Sequence, residues 1–365
     1  MRLPRLVIAT RMKGRGPSMS RRWLFAWVLL AFLLVSCSTL SSPDRIGVFE
    51  SISAKDAGMS EEKLDAIVDF CEESGSAALL ILYDGKVVLS WGEIDTKYPS
   101  HSIRKALLNS LYGIYVDRGD IDLDATMEEL GIDDIPPVLT EEEKQATVFD
   151  LLRSRSGVYH PAAGETQQMA DMRPERGSHP PGSFFYYNNW DFNVLGTIFE
   201  QEAGKGIFEA FYEEIAQPLG MTDFCVEDGI YHYEEEKSLH PVYPFFITAH
   251  DMALYGLLYM DNGNWDGRQI VPAAWIAEST KRHSVIEESE IGLGYGLLWN
   301  VLPEELGLGR FFFHTGVGMH LVAVLPDLKA VVVHRVDTLA DEVRFTGDDL
   351  NDLFNLLGAA LTDLK

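Results

Sequence analysis

The strongest constraint on the fold is that the β-rich segments fall into two groups at opposite ends of the chain. Near the N-terminal end, 77–83 and 87–91 are apolar runs around Asp84-Gly85-Lys86. Such a turn between such runs is a strong hairpin signal. Toward the other end, 310–314, 320–325 and 330–336 read as three strands, divided by Gly316-Val317-Gly318 and Pro326-Asp327-Leu328-Lys329. An isolated hairpin is marginal in water, so the two groups are expected to pair into one five-stranded antiparallel sheet. Amphipathic helices are expected outside each group, at 61–71 and 339–361, which makes the class α+β. The middle is helix-like and loop-rich, with its clearer helices at 147–154, 191–202, 207–216 and 249–260. The expected organisation of 45–365 is therefore a sheet subdomain (45–96 and 291–365) carrying a mostly helical insertion (97–290). Clefts between such parts bring distant residues together.

The N-terminal residues are excluded from this domain. Residues 1–36 hold seven of the 30 basic residues and none of the 56 acids, leaving 23 basic residues against 56 acids, a formal charge of −33. So acidic a body repels nucleic acid, and no nucleic-acid partner is expected. Arg21-Arg22 followed by an apolar run from Trp23 to Val35 reads as a signal peptide, too short for a comfortable membrane span. Leu34-Val35-Ser36-Cys37 resembles the lipobox of bacterial lipoproteins, which implies a lipid on Cys37, a tether over 37–44 and a periplasm-facing protein of the bacterial envelope. Ser38, where inner-membrane retention uses aspartate, favours the outer membrane. Cys71 and Cys225 lie in no redox or metal spacing and are expected as thiols rather than a disulfide. Asp120–Asp124 lacks the glycine and distal glutamate of a calcium loop, and the ten histidines form no zinc pattern, so no metal is expected.

The chemistry-bearing stretch is Ser100-His101-Ser102-Ile103-Arg104-Lys105. Ser100 after Pro99 reads as an N-cap, and the apolar residues from Ala106 to Tyr115 read as a helix with one buried stripe. Ser102 then sits in the first turn, where a backbone N–H is unpaired, and Lys105 returns to the same face three residues on. A hydroxyl, an amine and a free N–H at one helix tip are most of what acyl transfer needs. A second Ser-x-x-Lys, Ser60–Lys63, reads instead as the start of an ordinary surface helix.

With Tyr187-Asn188-Asn189 and His314-Thr315-Gly316, the Ser102 motif resembles the three motifs of the class C β-lactamase and penicillin-binding-protein-like serine hydrolases. Leu151-Leu152 with Ser156-Gly157, Pro181-Gly182, Leu195-Gly196, Leu219-Gly220-Met221 and Gly294-Tyr295-Gly296 match as well, and the likeness covers about 50–340. The resemblance implies a β-lactamase/transpeptidase-like fold and no cofactor. It implies that Ser102 is the nucleophile, that Lys105 accepts its proton or polarises the network, and that Tyr187 is an acid or base. It further implies that Asn189, His314, Thr315 and Gly316 contact the substrate and that the Ser102 and Val317 N–H groups form an oxyanion hole. Tyr187 and Asn189 are chosen over the frame starting at Tyr186 because their distances to Pro181-Gly182 and Leu195-Gly196 fit.

One departure matters. Position 314 is histidine where such β-lactamases have lysine, and histidine is largely neutral above a pKa of about 6.5. Recognition of an anionic β-lactam is therefore expected to be weak and pH-dependent. The expected activity is hydrolysis of a small ester or amide (carboxylesterase, D-amino-acid peptidase or amide hydrolase), on a monomer, with a peptidoglycan fragment as one candidate substrate. The alternative is a non-catalytic penicillin- or peptidoglycan-binding lipoprotein. No Gly-x-Ser-x-Gly elbow is present, which disfavours an α/β-hydrolase.

Overall fold

The computed structural model describes residues 49–287, 289 and 291–364. The expected signal peptide, Cys37 and the expected tether lie outside the described residues. The strands are β1 (Ala78–Tyr83), β2 (Lys86–Gly92), β3 (Ser284–Val285), β4 (Gly294–Tyr295), β5 (Asn300–Val301), β6 (Phe312–Gly316), β7 (His320–Leu325) and β8 (Ala330–Arg335). They form one sheet in the order β2-β1-β8-β7-β6-β5-β4-β3. The two chain ends join where β1 runs antiparallel to β8, from Ala78 opposite Arg335 to Tyr83 opposite Ala330. The hairpin turn holds Asp84 and Gly85 at φ 48° and 76°, the positive values a two-residue turn of this kind requires.

The five expected strands are present, but the sheet has eight. Three two-residue strands extend it beyond β6, and β3 comes from the stretch expected to belong to the helical insertion. Strands this short carry too little periodicity to be read from sequence.

The long strands are apolar without interruption because both faces are covered. Leu80 and Leu82 join Val322, Val324, Val331 and Val333 in the core shared with the central helices. Their neighbours Leu79 and Ile81 point the other way, with Leu321, Ala323 and Val332, onto the two outer helices. These are α1 (Glu61–Ser74) and, at the far end of the chain, a helix over Gly347–Leu361. Ser60 caps α1 by accepting from the Lys63 N–H at 3.4 Å, so this second Ser-x-x-Lys is a helix start, as expected. The C-terminal helix begins eight residues later than expected because Thr346 and Asp349 form a reciprocal capping box there. The insertion contributes α2 (Arg104–Arg118), α3 (Asn189–Ala203) and α4 (Ala249–Met260); the C-terminal helix is α5. The expected 207–216 helix is α-helical to Phe211 and widens to a π turn over Tyr212–Ala216.

Cys71 is buried against the sheet and burial raises its thiol pKa to about 11, while the Cys225 thiol donates to Asp228 at 3.2 Å. Neither forms a disulfide.

Candidate active site

The turn bearing Ser102 is pinned from behind. Ser100 donates its N–H to the Phe245 carbonyl at 2.7 Å, and its hydroxyl accepts from the Phe245 N–H at 3.0 Å. Its side chain is thereby committed to the neighbouring strand and caps no helix, contrary to the sequence reading. The chain instead enters α2 through a 3₁₀ turn, His101–Ile103. His101 is held at φ 45°, a left-handed conformation that costs a non-glycine residue about 1 kcal/mol or more. Its Nε2 lies 2.8 Å from Thr338 Oγ1 and its ring lies 5.3 Å from that of His320. The strain therefore sits one residue before the hydroxyl on which the sequence reading centres.

Lys105, on the first turn of α2, is fully buried. Its Nζ lies 2.8 Å from Ser102 Oγ and 2.7 Å from Tyr187 Oη, and 4.4 Å from the centres of the Tyr187 and Phe192 rings. Burial, with the Arg104 guanidinium adding to it, pushes the amine well below the usual lysine range. Burial raises the Tyr187 phenol to about 12 against an opposing hydrogen bond from Ser102. The ground state therefore pairs an amine biased toward its neutral form with a protonated phenol, both at bonding distance.

Tyr187 is positioned by the Ser-x-Ser-Gly segment. Ser154, itself at φ 56°, donates through Oγ to the Tyr186 carbonyl at 2.6 Å and accepts there from the Asn188 N–H at 3.0 Å. These two bonds clamp the backbone on both sides of Tyr187. Ser156 donates to Asp191 at 2.6 Å, and Asn188 Nδ2 donates to Asp191 and to the Val158 carbonyl. Burial holds the Asp191 carboxyl well above the usual range. Asn188 also caps α3 through Trp190 N, so it is structural. The Tyr186 hydroxyl donates to the Met169 carbonyl at 2.6 Å.

From the opposite side, β6 runs up to the serine turn. A Cβ at Gly316 would meet the Ser100 carbonyl oxygen at 2.9 Å and His101 Cβ at 3.0 Å, so only glycine permits this approach. Thr315 is half-buried and Val317 is 51 % exposed at the strand's end. Asn189 donates through Nδ2 to the Gly164 carbonyl at 2.8 Å, and among the described residues its Oδ1 has no partner. His314 differs from expectation. It is 1 % exposed, its Nδ1 lies 2.8 Å from the Thr315 carbonyl oxygen, and burial with the nearby Lys105 lowers it to about 3. The ring is neutral throughout the physiological range, so the pH-dependent charge expected at this position is absent.

Arg104 was left without a role by the sequence reading and is 2 % exposed. The expected single buried stripe is wrong for α2, whose residues from Arg104 through Tyr115 are all buried. The signal was available in three consecutive apolar residues, Ala106-Leu107-Leu108, which leave no solvent face. Tyr295, of the Gly-Tyr-Gly segment, is also buried, with its ring centre 5.9 Å from that of Tyr187.

Away from this site, Asp223, His250 and Asp251 bring ligand atoms within 4.8 Å of one another. Asp251 already accepts from the backbone of Asp223 and Phe224 and lies 3.3 Å from His250 Nδ1. These bonds account for the cluster as the packed N-terminus of α4.

Comparison with known proteins points the same way. A family model described as Beta-lactamase matches residues 64–353. The chain is 28% identical over 172 residues to a D-aminopeptidase of Brucella anthropi, covering 40% of this chain and 31% of that protein. The match therefore spans about a third of that relative's length. Among solved structures, a candidate 6-aminohexanoate-dimer hydrolase from Bacillus anthracis aligns with a TM-score of 0.64 at 19% identity, over 87% of each chain. A penicillin-binding protein homologue from Pyrococcus abyssi aligns with a TM-score of 0.59 at 22% identity, over 81% of this chain and 77% of that one. At these identities the structural likeness is one of fold.

Proposed function

Because the chain belongs to the β-lactamase family, we propose that it is a serine hydrolase of ester or amide bonds, that Ser102, Lys105 and Tyr187 are its catalytic residues and that it favours amides of small or peptide-like substrates. The observation that carries this is the placement of one buried amine 2.8 Å from Ser102 Oγ and 2.7 Å from Tyr187 Oη. A neutral Lys105 accepts the Ser102 proton as Oγ attacks the carbonyl. The Tyr187 phenol then passes a proton to the departing nitrogen and is reprotonated through Lys105, leaving an acyl-serine that water cleaves by the reverse relay. The Ser102 and Val317 N–H groups would receive the oxyanion. Asn189, with its unpartnered Oδ1, would accept from an N–H of the substrate, and the edge at Thr315-Gly316 would align it. The D-aminopeptidase relative supports the amide preference.

A neutral, buried His314 offers no charge to a carboxylate, which supports weak or absent β-lactam turnover. Mass analysis of the protein after a fluorophosphonate probe, followed by turnover of D-amino-acid p-nitroanilides and p-nitrophenyl esters, tests the reading. Labelling and turnover that vanish in Ser102→Ala support it, and a wild type that never labels refutes it. Labelling with no turnover on any substrate would favour the binding lipoprotein instead. We also propose lipid anchoring at Cys37 in the bacterial envelope. Radiolabelled palmitate should enter the wild type and not Cys37→Ala.

A further inference from the structure

We propose that Arg104 is a positioning residue for acyl transfer: a fixed charge buried beside Lys105 that keeps the amine ready to accept the Ser102 proton. The inference rests on the assignment of Ser102, Lys105 and Tyr187 above, but its first test does not depend on turnover.

Arg104 is an unusual choice for an interior position. It is 2 % exposed and among the described residues no carboxylate pairs with it. Its Nη2 donates to Asn193 Oδ1 at 2.6 Å, its guanidinium lies 4.2 Å from the centre of the Tyr243 ring, and its Nη1 has no partner among the described residues. Guanidinium stays protonated in proteins, and a buried cation lacking a counter-ion is costly. Helix packing alone would be served as well by an apolar residue at this position. A charge kept there acts instead on whatever titrates nearby.

What titrates nearby is the relay. Lys105 Nζ meets Ser102 Oγ from the 3₁₀ turn and Tyr187 Oη from the loop before α3, and the charge of Arg104, one residue before it, reaches it through the buried interior, as it in turn reaches His314 on β6. The tyrosines Tyr243 and Tyr295 surround Arg104, and Asp191 acts on Tyr295 from α3. His314 is neutral and burial keeps Asp191 toward its protonated form, so neither cancels the guanidinium. Its field disfavours a second positive charge on Lys105 and favours a phenolate on Tyr187. The first keeps Lys105 in the neutral form a proton acceptor needs and drives the proton onward once it reaches the amine, and the second stabilises Tyr187 after it has given its proton to the leaving nitrogen.

The test follows the Lys105 side chain directly. Protein labelled with ¹³C at lysine Cε, assigned with Lys105→Arg, is titrated by NMR in the wild type, Arg104→Gln and Asn193→Asp. The second variant keeps the arginine but places a carboxylate against it. Both variants should move the Lys105 titration to higher pH, and the acid limb of fluorophosphonate labelling should move with it. Each unit of movement lowers the rate below that limb about tenfold, with recovery toward wild-type rates at alkaline pH. A Lys105 titration unmoved in Arg104→Gln and in Asn193→Asp overturns the proposal. So does a uniform loss of rate at every pH with the limb in place, which is what a purely packing role gives. If Lys105 titrates as described while Ser102 never labels, the hydrolase assignment fails and the role of Arg104 in tuning the amine stands.

Discussion

At the scale of single residues, the pair Lys105 and Tyr187 sets the pH behaviour. Acylation requires a neutral amine and a protonated phenol, so the rate should rise as pH passes upward through the depressed Lys105 value. It should then hold until the phenol ionises near 12. The expected profile of kcat/KM has its acid limb well below that of an ordinary lysine and a plateau above it, where a lysine of ordinary pKa would give a rate still climbing at pH 9. Stopped-time labelling between pH 5 and 10 measures it. The same reasoning makes His314 a spectator in charge. Because it is already neutral above about 3, His314→Gln should leave the shape of that profile unchanged, and a limb lost in this variant would show that the ring carries charge after all.

At the scale of elements, the site depends on a clamp and a close approach. Ser154→Ala removes two bonds that hold the backbone around Tyr187. The loss is about 1–3 kcal/mol of positioning, so a fall in labelling rate of roughly 5- to 100-fold is expected with little change in the Ser102 turn. Gly316→Ala drives a methyl into the Ser100 carbonyl and should cost activity by tilting that turn. Leu80→Ala, by contrast, empties a core position under the sheet and should lower stability by about 2–5 kcal/mol without a selective effect on kinetics.

The strands and helices built on these rules were legible because period and turn chemistry are local. So was the meeting of Ser102, Lys105 and Tyr187 in one place, which short motifs mark. The edge strands β3 to β5 were not legible, because two residues carry no period. The environments of His314 and Arg104 were hidden for a different reason. Whether a polar side chain is solvated depends on what the rest of the chain lays over it, and nothing in Ser-Ile-Arg-Lys reports that its arginine is covered by Asn193 and Tyr243 from far along the sequence.

At the scale of the whole molecule, the sheet stores neutral histidines where its strands meet the serine turn. His334 is buried between Ser76 Oγ at 2.8 Å and the Met319 carbonyl oxygen at 3.1 Å, and His320 is fully buried beside it on β7. Burial lowers His101 and His334 to about 4 and His314 to about 3, and drives His320 down as well. Each of these groups binds a proton in the unfolded chain near pH 6.5 but not in the folded one until pH is far lower. The unfolded state therefore holds more protons through this window, and stability falls as pH falls below 6.5. Each histidine contributes a slope of up to about 1.4 kcal/mol per pH unit, so several together are expected to cost several kcal/mol by pH 4.5. Asp191 acts in the opposite sense, since its carboxyl holds a proton more tightly when folded, but as one group against four it reduces the slope without reversing it. Urea unfolding between pH 4.5 and 8 should show the midpoint dropping steeply below pH 6.5, with a shallower slope above it, where Lys105 is protonated in the unfolded chain and disfavoured from protonation in the folded one. Replacing His334 with Gln, which can keep a bond to Ser76 but cannot ionise, should flatten the acid side by one histidine's share. A midpoint that stays constant from pH 8 to 4.5 would mean that these rings exchange protons with solvent without unfolding the sheet around them.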